Sequence, residues 1–263
     1  MKFIAVTRPV SETIASCELT HLSREPIDLG RARAQHLAYE QALERAAHCE
    51  IVRVPAAPDL PDAVFIEDTA VVVDEVAIIT RPGAASRRAE TAGVADVLRR
   101  YRELRHIEAP GTIDGGDVLF CGRRAFIGRT SRTNEAGIEQ VRNIVQPFGY
   151  TVKGVDVRGC LHLKSAATVL AETQLLINPD RISREDFRGI DFLCVDPTEP
   201  DAANILKAGD DYIYSPAFPR TREMLERSLP LTILDMSELA KAEGAMTCCS
   251  LILTREHLRN VAH

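Results

Sequence analysis

Near the C-terminal end, Met246-Thr247-Cys248-Cys249-Ser250 leads into the apolar run Leu251-Ile252-Leu253. A cysteine at the mouth of a strand can lie partly exposed on a rigid element, and as thiolate it attacks carbon well. Cys248 is therefore the candidate nucleophile. A thiolate needs a proton partner, and His162 in Cys160-Leu161-His162-Leu163-Lys164 is the only histidine flanked by leucines. Taken singly, either residue is more often core packing than chemistry, cysteine above all. Their companions along the chain shift that balance.

Leu60-Pro61-Asp62-Ala63-Val64-Phe65-Ile66-Glu67-Asp68 carries three carboxylates around an apolar centre. If the stretch is a regular strand, Asp62 and Asp68 share one face and Glu67 takes the other, so a bend or strand end is needed for all three to meet. Surface acids are the common explanation of such a run. Acids interleaved with Val64, Phe65 and Ile66 are instead expected to be partly buried, and a buried carboxylate wants a cation, which a guanidinium substrate supplies. Arg87, after the turn Arg81-Pro82-Gly83, and Arg132 in Ser131-Arg132-Thr133-Asn134 each present a planar fork that fits a carboxylate. Alone, each is a solvated surface charge. Following two acid-bearing hairpins, they suggest a site for a zwitterion. In Ile113-Asp114-Gly115-Gly116-Asp117 two glycines let the backbone turn tightly between two acids. A hairpin rather than a helix follows and no phosphate-loop lysine is present, so neither a dinucleotide fingerprint nor a phosphate loop is read there. Asp114 or Asp117 is placed to orient an imidazole, and spacing does not choose between them.

The elements that must position these residues recur. A short apolar strand, a turn and a second apolar strand run from Phe65 to Ile79, from Gly116 to Gly128, from Ala167 to Ile177 and from Ala203 to Tyr214, and Cys248 to Leu253 is a fifth opening. The intervening turns have hairpin chemistry. Helical periodicity is expected at Leu29 to Ala47, Arg87 to Leu104, Asn134 to Val145 and Thr221 to Ser228, with Asp28 and Thr133 as N-caps. Five units spaced about 35 to 50 residues apart suit a supersecondary unit repeated around an axis. The openings at Glu67, Asp117, His162, Asn204 and Cys248 would then converge. Five unrelated strand starts in an open sheet are the alternative.

Composition narrows the partners. The 263 residues, 45% hydrophobic and without a linker of glycine, serine or proline, read as one domain, residues 1–263. A net charge of -6, with no tryptophan and 5% aromatics, disfavours nucleic acid. No basic signal region and no run of roughly 20 apolar residues is seen, so no membrane partner is expected and a cytoplasmic location is. Seven cysteines without a CxxC spacing argue against a disulfide framework or a zinc ribbon.

Taken together and in order, LPDAVFIED, ITRPGAASRRAE, IDGGDVLF, SRTNEAG, CLHLKSA, AAN and TCCS closely resemble the dimethylarginine dimethylaminohydrolase family of the guanidine-modifying pentein superfamily. The resemblance spans about Asp28 to Leu253. It implies an α/β fold, the pentein-type five-bladed αβ propeller with pseudo-fivefold symmetry, and hydrolysis of Nω-methylated L-arginine to L-citrulline and an amine without cofactor or metal. It further implies Cys248 as nucleophile, His162 as proton donor and later base, and Asp114 as the acid orienting His162. Asp62, Glu67 and Asp68 match the contacts to guanidinium and amine, with Phe65 beside them, and Arg87 and Arg132 the carboxylate clamps. Leu19 falls in the segment of the family's mobile lid, and Ala242 where a backbone carbonyl meets the substrate amine. Ile205 departs from the AANC of many relatives, and Cys17 to Pro26 is the least similar stretch. The competing readings are an arginine deiminase or amidinotransferase on the same fold, disfavoured by Lys164 where deiminases carry a carboxylate, and a non-catalytic binder of cationic amino acids. Monomer and homodimer both stay open.

Overall fold

The computed structural model describes residues 3–45 and 48–255. From the N-terminus, β1 (Phe3–Thr7) leads through α1 (Leu29–Arg45) to β2 (Cys49–Arg53), which pairs parallel to β1 with Ile4 opposite Glu50. Asp28 starts α1 as expected, its Oδ1 accepting from Arg31 N at 3.0 Å. The helix buries Ala32, Tyr39 and Leu43, one stripe at helical spacing.

The next four units share one plan: a tight hairpin, a crossover, and a third strand parallel to the second strand of the hairpin. They are β3 (Ala70–Val72), β4 (Val76–Ile79) and β5 (Glu103–His106); β6 (Val118–Cys121), β7 (Arg124–Arg129) and β8 (Thr151–Asp156); β9 (Ala167–Ala171), β10 (Gln174–Ile177) and β11 (Asp191–Cys194); and β12 (Leu206–Ala208), β13 (Asp211–Tyr214) and β14 (Leu231–Ile233). The last strand, β15 (Leu251–Thr254), runs antiparallel to β1 with Leu251 opposite Val6. It supplies the first unit with the hairpin strand that the N-terminus lacks. Five three-stranded sheets result, and the ring closes through pairing of the two ends of the chain, an α/β propeller of five blades with pseudo-fivefold symmetry. Val71, Leu119, Val169, Leu206 and Ile252, one from the first strand of each blade, line a central cavity of about 360 Å³. Packing between neighbouring blades builds the core; Ile4 and Val6 of one blade, for example, meet Ala77, Ile79 and Leu98 of the next.

The third strands are what the sequence pattern did not reveal, and they correct one expectation directly. The expected helix from Arg87 to Leu104 is divided into a 3-10 turn at Ala85–Glu90, α2 (Thr91–Leu98) and then β5. Pairing of Glu103 and Leu104 with the edge of β4 outweighs the helical periodicity of that polar segment. Crossover helices α3 (Glu135–Val145) and α4 (Pro219–Leu225) lie close to where periodicity puts them, and a short α5 (Ser237–Ala240) was not foreseen. Asn134, not Thr133, caps α3, accepting from Gly137 N at 2.9 Å; Thr133 Oγ1 instead accepts from Asp114 N. The acidic stretch ahead of β3 is not a strand either: its end is a 3-10 turn, Ile66–Thr69. Among the described residues no helix is long and apolar enough to cross a membrane.

Candidate active site

The strand openings do converge. Cys248 lies in the turn before β15, and its carbonyl accepts from Glu67 N at 3.0 Å, joining the first blade to the acidic turn of the second. Asn204 clamps Thr247, donating from Nδ2 to Thr247 Oγ1 at 3.1 Å and accepting from Thr247 N at 3.1 Å, while Nδ2 also reaches Lys164 O at 3.0 Å. Thr247 Oγ1 in turn donates to Glu67 Oε2 at 2.7 Å, and Lys164 Nζ donates to Glu67 Oε1 at 2.6 Å. Asp117 accepts from Leu163 N at 2.9 Å and from Thr130 Oγ1 at 2.6 Å, fixing the backbone beside His162. Residues from all five blades thus hold the Cys248 turn and the His162 turn in one rigid frame.

Cys248 and His162 share a small closed hollow of about 20 Å³, whose wall also includes Asp62, Phe65, Asp68, Arg87, Arg132 and Ala242. Three sequence candidates lie off it. Asp114 is fully buried behind the imidazole, its Oδ2 3.1 Å from His162 Nε2, so of the two acids left open by spacing it is Asp114 that contacts the ring. Leu19 packs half-buried against the core cluster that contains Phe65. Glu67 lines the central cavity instead, on the far side from Asp62 and Asp68, because the 3-10 turn directs neighbouring side chains apart and Lys164 and Thr247 saturate its carboxylate. In turn the hollow includes Glu18, Leu161 and Glu243, which sequence reasoning did not single out. Leu161 and Glu243 adjoin named candidates, His162 and Ala242, but nothing in their residue types signals a wall.

Electrostatics favour the protonated form of both the imidazole and the thiol. Burial works against charge on His162, yet Asp68, Asp117 and Asp114 outweigh it and raise the imidazole to about 9. Asp68 is held down at about 2: burial opposes its ionisation, and His162, Arg87 and the Gly116 amide more than compensate. Asp117, buried with fewer cationic neighbours, is raised to about 6. Burial, then Glu67 and Asp68, push the Cys248 thiol well up, with only the Ala245 amide and Lys164 acting in the other direction. Burial also raises Asp62. Asp68, Asp114 and His162 form the one cluster among the described residues whose side-chain atoms, within 4.8 Å of one another, could together reach a metal ion. Asp68 already carries Arg87 and Asp114 already accepts from Gly83 N, an arrangement that suits an imidazolium.

Arg87 is almost fully spoken for. Nε and Nη2 donate to the Glu90 carboxylate at 3.1 and 2.9 Å, Nη1 to Asp68 Oδ2 at 2.6 Å, and Nη2 also to Phe65 O at 3.0 Å. Of five N–H groups that leaves one, on Nη1, for a ligand. Arg132 is freer, with a single side-chain bond, Nη2 to Thr20 Oγ1 at 3.0 Å. Gly116 makes the imidazole's position sterically feasible, since a Cβ there would lie 2.7 Å from His162 Nδ1.

A scan against models of known protein families finds no match. Individual relatives are informative. The chain is 41% identical over 254 residues to an N(G),N(G)-dimethylarginine dimethylaminohydrolase of Streptomyces coelicolor, covering 95% of this chain and 96% of the relative. The chain belongs to the dimethylarginine dimethylaminohydrolase family. A second enzyme so named, from Pseudomonas aeruginosa, is 32% identical over 95% of this chain and 98% of its own. A Cys-to-Ser mutant of the Pseudomonas aeruginosa protein complexed with citrulline superposes with a TM-score of 0.91 at 31% identity, covering 96% of this chain and all of that one. The five-bladed fold of this dimethylargininase-family chain is therefore shared with a relative whose solved structure holds citrulline.

Proposed function

We propose that this chain hydrolyses Nω-methylated L-arginine, asymmetric dimethylarginine or monomethylarginine, to L-citrulline and dimethylamine or methylamine. The reading rests on one observation: a half-buried thiol and an acid-held imidazole share a hollow whose wall includes Asp62, Asp68 and Arg132. Carboxylates suit a guanidinium and the arginine suits an amino-acid carboxylate, while family membership supplies the substrate class. At about 20 Å³ the hollow has room for about one water, so a substrate enters only when segment 17–26 lifts.

In this mechanism the resting thiol is neutral, and the cation of the substrate activates it. A guanidinium about 4 Å from sulfur favours the thiolate by roughly 4 kcal/mol at an effective dielectric of about 20, or about 3 pKa units. As the substrate binds, the Cys248 thiol releases its proton to water, and the thiolate sulfur bonds to the guanidinium carbon, which becomes tetrahedral. The imidazolium of His162 gives its proton to the methylated nitrogen, the C–N bond breaks, and the amine leaves a planar thiouronium on sulfur. A water then gives a proton to the now neutral imidazole as its oxygen bonds to the same carbon. The C–S bond breaks as the hydroxyl proton passes to sulfur, which restores the neutral thiol, and citrulline departs. Asp114 acts through His162, fixing its ring, and Asp62 and Asp68 make the attack effectively intramolecular.

We also read the chain as one cytoplasmic domain that takes a free amino acid: its first blade needs strands from both ends, so it cannot be divided without leaving an open edge. A deiminase reading is disfavoured by Lys164, two residues after His162, whose ammonium is committed to Glu67. Intact-protein mass spectrometry during turnover of dimethylarginine tests the proposal. An adduct on the peptide bearing Cys248, with citrulline in solution, is expected; ammonia released from unmodified arginine with no reaction of dimethylarginine would overturn it.

A further inference from the structure

The segment over the hollow is tied down by Asp62, Ser86, Arg132, Lys241 and Glu243, Ser86 Oγ donating to Glu18 Oε1 at 2.5 Å and Lys241 Nζ to Pro26 O at 3.0 Å. Two ties use groups given above to the substrate: Asp62 Oδ2 accepts from Glu18 N at 3.1 Å, and Arg132 donates to Thr20 Oγ1 at 3.0 Å. A ligand competes with both. The tie to Glu243 uses neither group and holds the most amides. Glu243 Oε1 accepts from Thr20 N, His21 N and Leu22 N at 3.0, 2.5 and 2.7 Å, and Oε2 from Thr20 N at 3.1 Å. Three consecutive backbone amides on one carboxylate make an anion-binding nest, here filled by the protein's own side chain. Bonds to a charged acceptor are the stronger kind.

The backbone of Glu243 points the same way. It is one of two non-glycine residues with positive φ among the described residues, at 59°, a conformation that costs a glutamate energy and persists where the surroundings over-determine it. Glu243 also forms part of the wall of the hollow and directly follows Ala242, whose backbone carbonyl the family resemblance puts against the substrate amine. Closure of segment 17–26 and the amine end of the site are thereby joined through one residue.

We propose that Glu243 is a positioning residue: it holds the amides of Thr20, His21 and Leu22 so that the segment stays closed over bound substrate, without touching the reacting atoms. The inference rests on reading the hollow as the substrate site. An interaction that secures the closed state equally in ground and transition states changes KM and leaves kcat nearly unchanged. Glu243→Gly is the decisive variant, because glycine adopts this φ freely and the turn survives while the carboxylate is lost. Glu243→Gln keeps an acceptor oxygen and is expected to rescue in part. Amide hydrogen exchange of the peptide covering residues 17–26 is measured in the free protein, where no turnover is needed, together with steady-state kinetics on dimethylarginine. Glu243→Gly is expected to exchange at least about tenfold faster and to raise KM by about tenfold or more, with kcat within about threefold. Unchanged exchange in that variant overturns the latch. Faster exchange with unchanged KM overturns its role in positioning. A wild-type protein without turnover would sink the hydrolase reading instead, and exchange with and without added citrulline would then decide the latch by itself.

Discussion

Replacing Asp114 by Asn isolates one charge. Asp114 Oδ1 accepts from Gly83 N at 2.9 Å and its own N–H is held by Thr133, contacts that an asparagine keeps, so the turn is expected to stay in place. What changes is the group 3.1 Å from His162 Nε2: a carboxylate becomes an amide. The imidazole stands at about 9 with three acids around it. An opposite charge at this range typically contributes about 1–3 pKa units, so the variant imidazole should titrate between about 6 and 8. At pH 8 the imidazolium fraction then falls from about 0.9 to between about 0.5 and 0.01, since one unit is about 1.4 kcal/mol. The imidazolium is the acid for the departing amine, so kcat needs the protonated form and declines as pH rises through this pKa. Citrulline formation from saturating dimethylarginine, followed from pH 6 to 10, should show the alkaline limb displaced downward by about 1–3 units, a loss of roughly 2- to 100-fold at pH 8, and near-normal kcat at pH 6. An alkaline limb left where the wild type has it would refute the assignment of Asp114 as one of the groups, with Asp68 and Asp117, that keep His162 charged. Loss of activity at every pH, with the limb unmoved, would make Asp114 structural.

Arg132→Gln should raise KM for dimethylarginine by about 10- to 150-fold, the worth of a lost charged hydrogen bond of about 1.5–3 kcal/mol, with little change in thermal midpoint; an unchanged KM removes Arg132 from the carboxylate clamp. Arg87→Met leaves Asp68 and Glu90 buried without their cation, and urea unfolding should show a loss of about 3–5 kcal/mol, whereas a loss under about 1 kcal/mol means that Asp68 and Glu90 do not depend on Arg87. The folded His162 pKa is raised to about 9 from an ordinary 6.5. Its contribution to stability is full below pH 6.5 and disappears as pH rises through about 9, on the order of 3 kcal/mol, and a His162→Gln variant should lack that alkaline decline in its urea midpoint.

How much was legible beforehand depended on whether a feature is local. The hairpins were readable because alternating apolar residues and a turn lie within about a dozen positions, as in Val71 opposite Ile78. α1 was readable from its apolar stripe and from Asp28. The third strands were not, because Glu103–His106 has no apolar alternation and becomes a strand only by pairing with β4. Cys248, His162, Asp62, Asp68, Arg87 and Arg132 were all named from motifs and all line one hollow. Glu67 belonged to the same motif yet faces the central cavity, since the direction of a side chain in a 3-10 turn depends on what packs around it.

The amino-acid sequence by itself determined the inventory: which residue types are present, the order of five recurring units, and turns tight enough to repeat around an axis. The tertiary structure alone decided that the C-terminal strand would complete the first blade, that Asp114 and not Asp117 would contact the imidazole, and that Glu243 would gather three amides from a segment more than 200 residues earlier. Periodicity and turn chemistry act over a few residues, whereas burial and charge act through space, so protonation and contact are settled only when distant segments share one enclosure of low dielectric.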